Sequence, residues 1–122
     1  MLTRDTSWEE GVLQMIVGQQ LSSVEFVQDY VQLNFDGPTL KAIPQPAVEV
    51  GGREFRWDEP GFRDELCRRI ARKAMSARIF PGETIRLMFD DSAVVEVSLR
   101  QEDYRAAEAI RFDLEPSKWW VL

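Results

Sequence analysis

Apolar residues alternate with polar ones over several short segments, and this period of two predicts β-strands. Val31, Leu33 and Phe35 share one side of a predicted strand that ends at an Asp-Gly-Pro turn signal. Strands over 21–27 and 39–43 flank it, and the connections between the three segments are short. The first third of the chain is therefore expected to form a β-meander.

The same order of strands and turns returns in the second half of the chain. Segments 76–80, 84–89 and 95–99 alternate in the same way, with turn signals between them. Between the two meanders, Gly51-Gly52 predicts a tight hairpin, because primed turns need positive φ angles. A last strand is expected over 110–114, where apolar residues alternate again.

Two other segments show helical spacing. Ser7-Trp8-Glu9-Glu10 has the capping-box pattern, which predicts the start of a first helix. Pro60 suits the start of a second helix, in which Phe62, Leu66 and Ile70 recur at every fourth residue. The sequence thus predicts an α+β fold with two helices and a mainly antiparallel sheet.

The two halves align with each other. Val17-Gly18 matches 70–71 and Ser23-Val24-Glu25-Phe26 matches 76–79 at the same spacing, and 31–36 matches 85–90 after a slip of one residue at the hairpin turn. Apolar and turn positions agree throughout the aligned segments. This agreement predicts an internal duplication.

The duplication sets the expected domain organisation. We expect a single domain over 1–122, with repeat units over about 7–50 and 60–100, and a C-terminal strand and Trp-rich tail over 101–122. Neither unit can bury both its helix stripe and its sheet face alone. The units should therefore share one core, as a pseudo-two-fold sandwich, an open barrel or a single curved sheet.

Composition narrows the classes of function. The chain has 122 residues, and 21 acidic against 15 basic residues give a formal net charge of −6, which disfavours a nucleic-acid partner. It has no histidine and no Gly-rich phosphate loop, which disfavours histidine-dependent catalysis and nucleotide chemistry. We therefore expect no catalytic residues, no cofactor, no metal site and no enzymatic activity.

The expected location follows from what the sequence lacks. No apolar run is long enough to span a membrane, and the N-terminal segment lacks the apolar core of a signal peptide. A cytoplasmic protein with no membrane partner is expected. Cys67 is the single cysteine, so an internal disulfide is impossible, and the helical pattern around it predicts a half-buried side chain.

Two groups of residues are candidates for binding a partner. Arg68, Arg69, Arg72 and Lys73 form a basic segment on or near the second predicted helix, with Arg63 on the same helix and Arg53 and Arg56 just before it. It could contact an acidic protein or an RNA backbone, or form a solvated face paired with nearby acids. The second group is the pair Trp119-Trp120, which is expected either in the core or in an interface, where Trp is favoured.

Aromatic residues near the basic segment are assigned to the core. Phe55, Trp57 and Phe62 fit the apolar pattern of the predicted elements better than a base-stacking platform. The sequence therefore predicts no aromatic surface around the second helix.

The order of helix, small residue, strand, hairpin and Phe-Asp over 17–40, and again over 70–99, resembles small uncharacterised bacterial proteins. Some of these are encoded beside polymorphic toxins and are regarded as immunity proteins. The resemblance implies a non-enzymatic role in binding a protein partner.

Three functions stay open at this point. The first is a protein-binding or immunity-type module, whose acidic charge suits a basic partner. The second is a small-molecule binder or a carboxylate-dependent enzyme with a site between the two half-units. The third is RNA binding through the basic second helix. Exposed sheet edges also leave a homodimer open.

Overall fold

A computed structural model of the chain describes residues 11, 13–28, 30–42 and 46–100, together with the backbone of 110–115 and 118–121. The strands in chain order are β1 (Leu21–Val27), β2 (Tyr30–Phe35), β3 (Thr39–Ala42), β4 (Ala47–Val50), β5 (Arg53–Phe55), β6 (Ala74–Phe80), β7 (Thr84–Phe89), β8 (Val94–Ser98), β9 (Ile110–Glu115) and β10 (Lys118–Val121). A short helix, α1 (Phe62–Cys67), lies between β5 and β6.

The strands form two antiparallel sheets that do not close into a barrel. The order in the first sheet is β1-β2-β3-β9-β10, with side chains described for β1 to β3, and the order in the second is β5-β4-β8-β7-β6. Each meander forms most of one sheet, but the hairpin that follows it joins the other sheet. Thus β4 pairs with β8, and β9 pairs with β3. This exchange of hairpins ties the two halves together.

One hydrophobic core lies between the two sheets. The matching strands β2 and β7 bury alternate residues, namely Val31, Leu33, Phe35, Ile85, Leu87 and Phe89. The rings of Phe35 and Phe89 stack across the core, with centroids 6.4 Å apart and planes 13° apart. The alternation predicted for these strands is confirmed, and the two buried faces make a β-sandwich.

The predicted α+β fold with two helices is wrong. The described chain is mostly antiparallel β-sheet, and α1 is the one helix whose two ends are both described. Gly11, Leu13 and Gln14 are helical, whereas the predicted helix start at Ser7 lies outside the described residues. The predicted helix content was too high because one or two helical turns that cover the end of a sandwich have apolar residues at the same spacing as a longer helix.

Helix α1 is short because the chain turns away into β6. Ala71 has a left-handed φ of 74°, and its N–H donates to the Leu21 carbonyl at 2.7 Å instead of continuing the helix. Leu66 is buried, but Ile70, which the sequence placed on the same helical stripe, is 38% exposed. After Cys67 the N–H groups of Arg69 and Ile70 donate three residues back, in 3₁₀-type turns, and the bond from Ala71 to Leu21 then directs the chain toward β6.

The two halves make matching backbone hydrogen bonds where they meet. The Gly18 N–H donates to the Ala74 carbonyl at 2.7 Å, and the aligned residues repeat this bond, from Ala71 to Leu21, at 2.7 Å. Gly18 and Ala71 both have left-handed φ angles, of 86° and 74°. The starts of β1 and β6 are thus arranged around an approximate two-fold axis.

Irregularities in strand pairing also match. The β1–β2 register shifts between Leu21 and Ser23, and the β6–β7 register shifts between Ala74 and Ser76. These are corresponding positions in the alignment that pairs Ser23 with Ser76. The two meanders therefore share their local distortions as well as their strand order.

Candidate functional site

The four basic candidate residues follow the helix and are not part of it. Helix α1 ends before Arg68, and the chain from Arg68 to Lys73 forms the turn that leads into β6. Arg69 is only 5% exposed, whereas Arg68, Arg72 and Lys73 are exposed. Arg68, Arg72 and Lys73 are therefore exposed on a turn, and Arg63 is the basic residue that lies within α1.

Arg69 belongs to a buried ion-pair cluster. Its Nη1 lies 3.3 Å from Asp91 Oδ2, and its Nη2 lies 4.0 Å from a carboxylate oxygen of Glu65. Its Nε is buried and has no hydrogen-bond partner within the described part of the chain. The Nε of Arg72 lies 3.9 Å from the same Asp91 oxygen. The cluster joins the turn after α1 to the turn between β7 and β8.

The remaining basic residues also have acidic neighbours. Arg68 pairs with Glu65, and Arg72 Nη1 lies 3.8 Å from Asp90. The backbone N–H of Lys73 donates to Asp90 Oδ2 at 3.4 Å. Binding of a partner by the basic segment stays a prediction, but most of its charge is matched within the chain. These pairs favour the ion-paired alternative over an open site for phosphate.

The tryptophan pair lies on β10, whose backbone pairs with β9. Trp120 opposes Phe112 in that hairpin, and Trp119 opposes Asp113. Their side chains lie outside the described part of the structure, so their assignment to the core or to an interface stays a prediction.

Two arginine–aromatic pairs lie beside α1, Arg53 with Phe55 and Arg63 with Phe26, and Trp57 lies in the turn that leads from β5 to α1. We call these five residues the arginine–aromatic surface. The guanidinium of Arg53 lies 4.5 Å from the Phe55 ring centroid, and that of Arg63 lies 5.2 Å from the Phe26 centroid. Both are cation–π contacts. Trp57 is 44% exposed and Phe26 is 37% exposed. The surface thus combines exposed rings with two stacked cations.

Helix α1 brings these residues together because it contacts both sheets. Phe26 near the end of β1 meets Phe62 edge to face, with centroids 6.5 Å apart. Phe55 on β5 packs against Gly61, where an added Cβ would lie 3.1 Å from the ring. Gly61 also has a left-handed φ of 92°, so two separate features favour glycine there. The helix closes one open side of the sandwich and places both aromatic–arginine pairs beside it.

The charges of this surface are mixed. Arg56 lies 3.5 Å from a carboxylate oxygen of Glu54, and its N–H donates to Glu59 at 3.3 Å. In contrast, Arg53 and Arg63 contact no carboxylate among the described residues, and their guanidinium groups rest on aromatic rings. Two cations therefore stay available to an acidic group of a partner.

Sequence reasoning missed this surface because it assigned all three neighbouring aromatics to the core. Phe62 is buried and Phe55 is half-buried, but Trp57 is exposed. One signal was present, since Trp57 lies two residues after the end of a short strand and precedes an Asp-Glu-Pro turn. An aromatic residue at the point where alternation ends has no sheet face to join.

The junction between the two halves is filled within the described residues. The Phe35 and Phe89 rings stack there, beside the matching backbone hydrogen bonds. In this part of the chain, no three His, Cys, Asp or Glu residues are grouped so that they could hold a metal ion. Cys67 is exposed, so the predicted half-buried position is wrong. The described junction therefore gives no support to a carboxylate site between the half-units.

Comparison with protein-family models, with curated proteins and with solved structures finds no match for this chain. Within the ranges that the structure describes, no helix has both the length and the apolar character needed to cross a membrane.

Proposed function

We propose that this protein is a protein-binding module that contacts its partner through the arginine–aromatic surface. The observation that carries the proposal is the exposure of Trp57 and Phe26 beside Arg53 and Arg63, whose cations rest on rings. Trp and Arg dominate interface hot spots, because they combine a large apolar area with directional polar groups. A preformed cluster of them also loses little side-chain entropy on binding.

The aligned position in the other half supports the same proposal. Phe26 corresponds to Ile79, which is 7% exposed, whereas Phe26 is 37% exposed. We propose that the two halves arose by duplication, as their matching hydrogen bonds and register shifts suggest. One copy then keeps an apolar core residue where the other presents an aromatic ring to solvent.

The charge pattern favours a protein over a nucleic acid. The surface carries Arg53 and Arg63, but Glu54 and Glu59 lie between them in the sequence, so it offers no continuous basic stripe to a phosphate backbone. An immunity-type role, in which the partner is a toxin, is the version that the resemblance to immunity proteins supports. The net charge of −6 would speed encounter with a basic toxin.

Site-specific photocrosslinking in cells that naturally make the protein tests this proposal. A benzophenone amino acid replaces Trp57 in one variant and the exposed turn residue Glu83 in the control variant. We expect one discrete adduct with another protein from position 57 and none from position 83. The adduct should weaken when Phe26→Ala and Arg63→Ala are added.

Two results would contradict the proposal. One is the absence of any adduct from position 57, and the other is the same set of adducts from both positions. With the captured partner purified, the double variant should bind it with affinity lowered roughly ten-fold or more.

A further inference from the structure

We infer that the partner binds by adding an extended acidic–apolar segment to the free edge of β1, an inference that rests on the proposed function. Strand β1 is the first strand of its sheet, so one side of it pairs with β2; on the other side Leu21 bonds to Ala71 and Arg72, and from Val24 onward no strand among the described residues lies beside it. An open edge offers backbone N–H and C=O groups to an incoming strand. Phe26 lies on this strand, and Arg63 of the arginine–aromatic surface rests on its ring.

The aligned strand β6 shows which backbone groups face the edge. The side chain of Gln14 donates from Nε2 to the Ala77 carbonyl at 2.9 Å. This carbonyl therefore points away from β7. Ala77 aligns with Val24, so the Val24 carbonyl points away from β2 in the same way. Because N–H and C=O groups alternate along an antiparallel strand, Val24 and Phe26 are the edge-facing residues.

The two edges differ in how they are protected. Gln14 covers the β6 edge, and the residue aligned with Gln14 is Cys67, whose side chain donates no hydrogen bond to Val24 within the described chain. Covering a sheet edge with a side chain is a common way to prevent pairing with another chain. The Ala77 carbonyl on one edge is thus bonded to a polar side chain, whereas the Val24 carbonyl on the matching edge has no such partner among the described residues.

Side chains beside the open edge indicate what the incoming segment carries. Phe26 is 37% exposed near the end of β1, which favours an apolar residue on the same face of the incoming strand. The Arg63 guanidinium lies above the Phe26 ring and has no carboxylate partner in the described residues. An Asp or Glu of the incoming strand would complete this site, because a guanidinium on a ring face still has donors free for a carboxylate.

The experiment uses the full chain as bait for a phage-displayed library of random linear peptides. We expect enrichment of peptides that alternate apolar residues and contain Asp or Glu. A selected peptide is then titrated against Phe26→Ala and Arg63→Glu by fluorescence anisotropy. Each substitution should weaken binding roughly ten-fold. The matched control is Arg78→Glu on β6, which aligns with Glu25 and should change binding by less than about two-fold.

Amide hydrogen exchange provides a readout specific to strand addition. The peptide should slow exchange at the N–H groups of Val24 and Phe26, which face the edge, and leave Glu25 unchanged, because its N–H faces β2. Protection of Val24 and Phe26 together with loss of binding in Arg63→Glu supports the inference.

Three outcomes would overturn the inference. The selected peptides could bind the Phe26→Ala and Arg63→Glu variants as tightly as the unmodified chain, or they could leave the edge amides unprotected. The chain could also form a dimer, seen by sedimentation, in which the same amides are protected without peptide. A discrete crosslink from position 57 combined with unprotected edge amides would keep the proposed function and reject strand addition. If position 57 gives no crosslink and the edge amides stay unprotected, both the proposed function and strand addition are rejected.

Discussion

The two halves of the molecule bury different types of side chain at one aligned position. It holds the apolar Ile16 in the first half and the charged Arg69 in the second. Their backbones are equivalent, since Ile16 N–H donates to Leu13 at 3.0 Å and Arg69 N–H donates to Leu66 at 3.1 Å. Ile16 is fully buried and Arg69 is 5% exposed. The same site in the fold therefore accepts either an apolar side chain or a guanidinium.

The turn between the second and third strands of each meander explains why one half buries Ile16 and the other buries Arg69. The turn between β2 and β3 spans 36–38, whereas the matching turn between β7 and β8 spans 90–93 and contains Asp91. Asp91 pairs with Arg69 at 3.3 Å and also accepts a hydrogen bond from the Ala93 N–H at 3.2 Å. The longer turn thus supplies the carboxylate that a buried cation needs.

The outer faces of the two sheets differ as well. Asn34 on β2 donates to Ser23 and to Glu25, at 2.8 and 3.0 Å, in a polar network. Its aligned residue, Met88 on β7, is 42% exposed. The two halves share their strand order and the hydrogen bonds of their junction, and they differ both on the outer faces of the sheets and at the buried position of Ile16 and Arg69.

The largest expected effect tests whether the two halves contribute equally to the core. Phe35→Ala and Phe89→Ala should each lower the free energy of unfolding by about 3–5 kcal/mol, because each removes a buried ring and leaves a cavity. Urea unfolding followed by Trp fluorescence measures both variants. The double variant should lose less than the sum, since the rings contact each other. Strictly additive losses would show that the stacked pair does not couple the halves.

The second prediction concerns replacing the buried Arg69 with isoleucine, the residue found at the aligned position in the first half. Arg69→Ile should lower the free energy of unfolding by about 2–3 kcal/mol, because it leaves Asp91 without its nearest cation. The side chain of Asp91 is 20% exposed, so water limits this loss. Adding Asp91→Ala should recover most of the stability, as in the first half, where the site is apolar. If the double variant is as unstable as Arg69→Ile alone, the unpaired Asp91 carboxylate does not explain the lower free energy of unfolding.

The smallest effect concerns the aligned left-handed residues at the junction. Ala71→Gly should raise the free energy of unfolding by about 0.5–1 kcal/mol, because glycine adopts a positive φ without a Cβ clash. The matched variant Gly18→Ala should lower it by about 1 kcal/mol, since the space around Gly18 is open and backbone strain is the main cost. Thermal unfolding measures both. Changes of the same sign in the two variants would contradict equivalent backbone roles.

Local pattern alone determined much of the strand layout. The alternation of Val31, Leu33 and Phe35 predicted β2, and Gly51-Gly52 predicted the β4–β5 hairpin, because side-chain period and positive φ are properties of a few neighbouring residues. The pairing of Ser23 with Ser76 by sequence also marked the two places where the strand register shifts.

Tertiary structure decided the helix content, the burial of Arg69 and the position of the arginine–aromatic surface. Helix α1 ends at Cys67, and the Ala71 N–H bonds to Leu21, fifty residues away in the sequence, where the predicted helix would have continued. Arg69 is buried because a turn from another strand pair supplies Asp91, and Phe26 meets Arg63 because α1 spans both sheets. Contacts between distant segments carry no local periodicity, so a sequence pattern that identifies strands does not show which cation is buried or which ring is exposed.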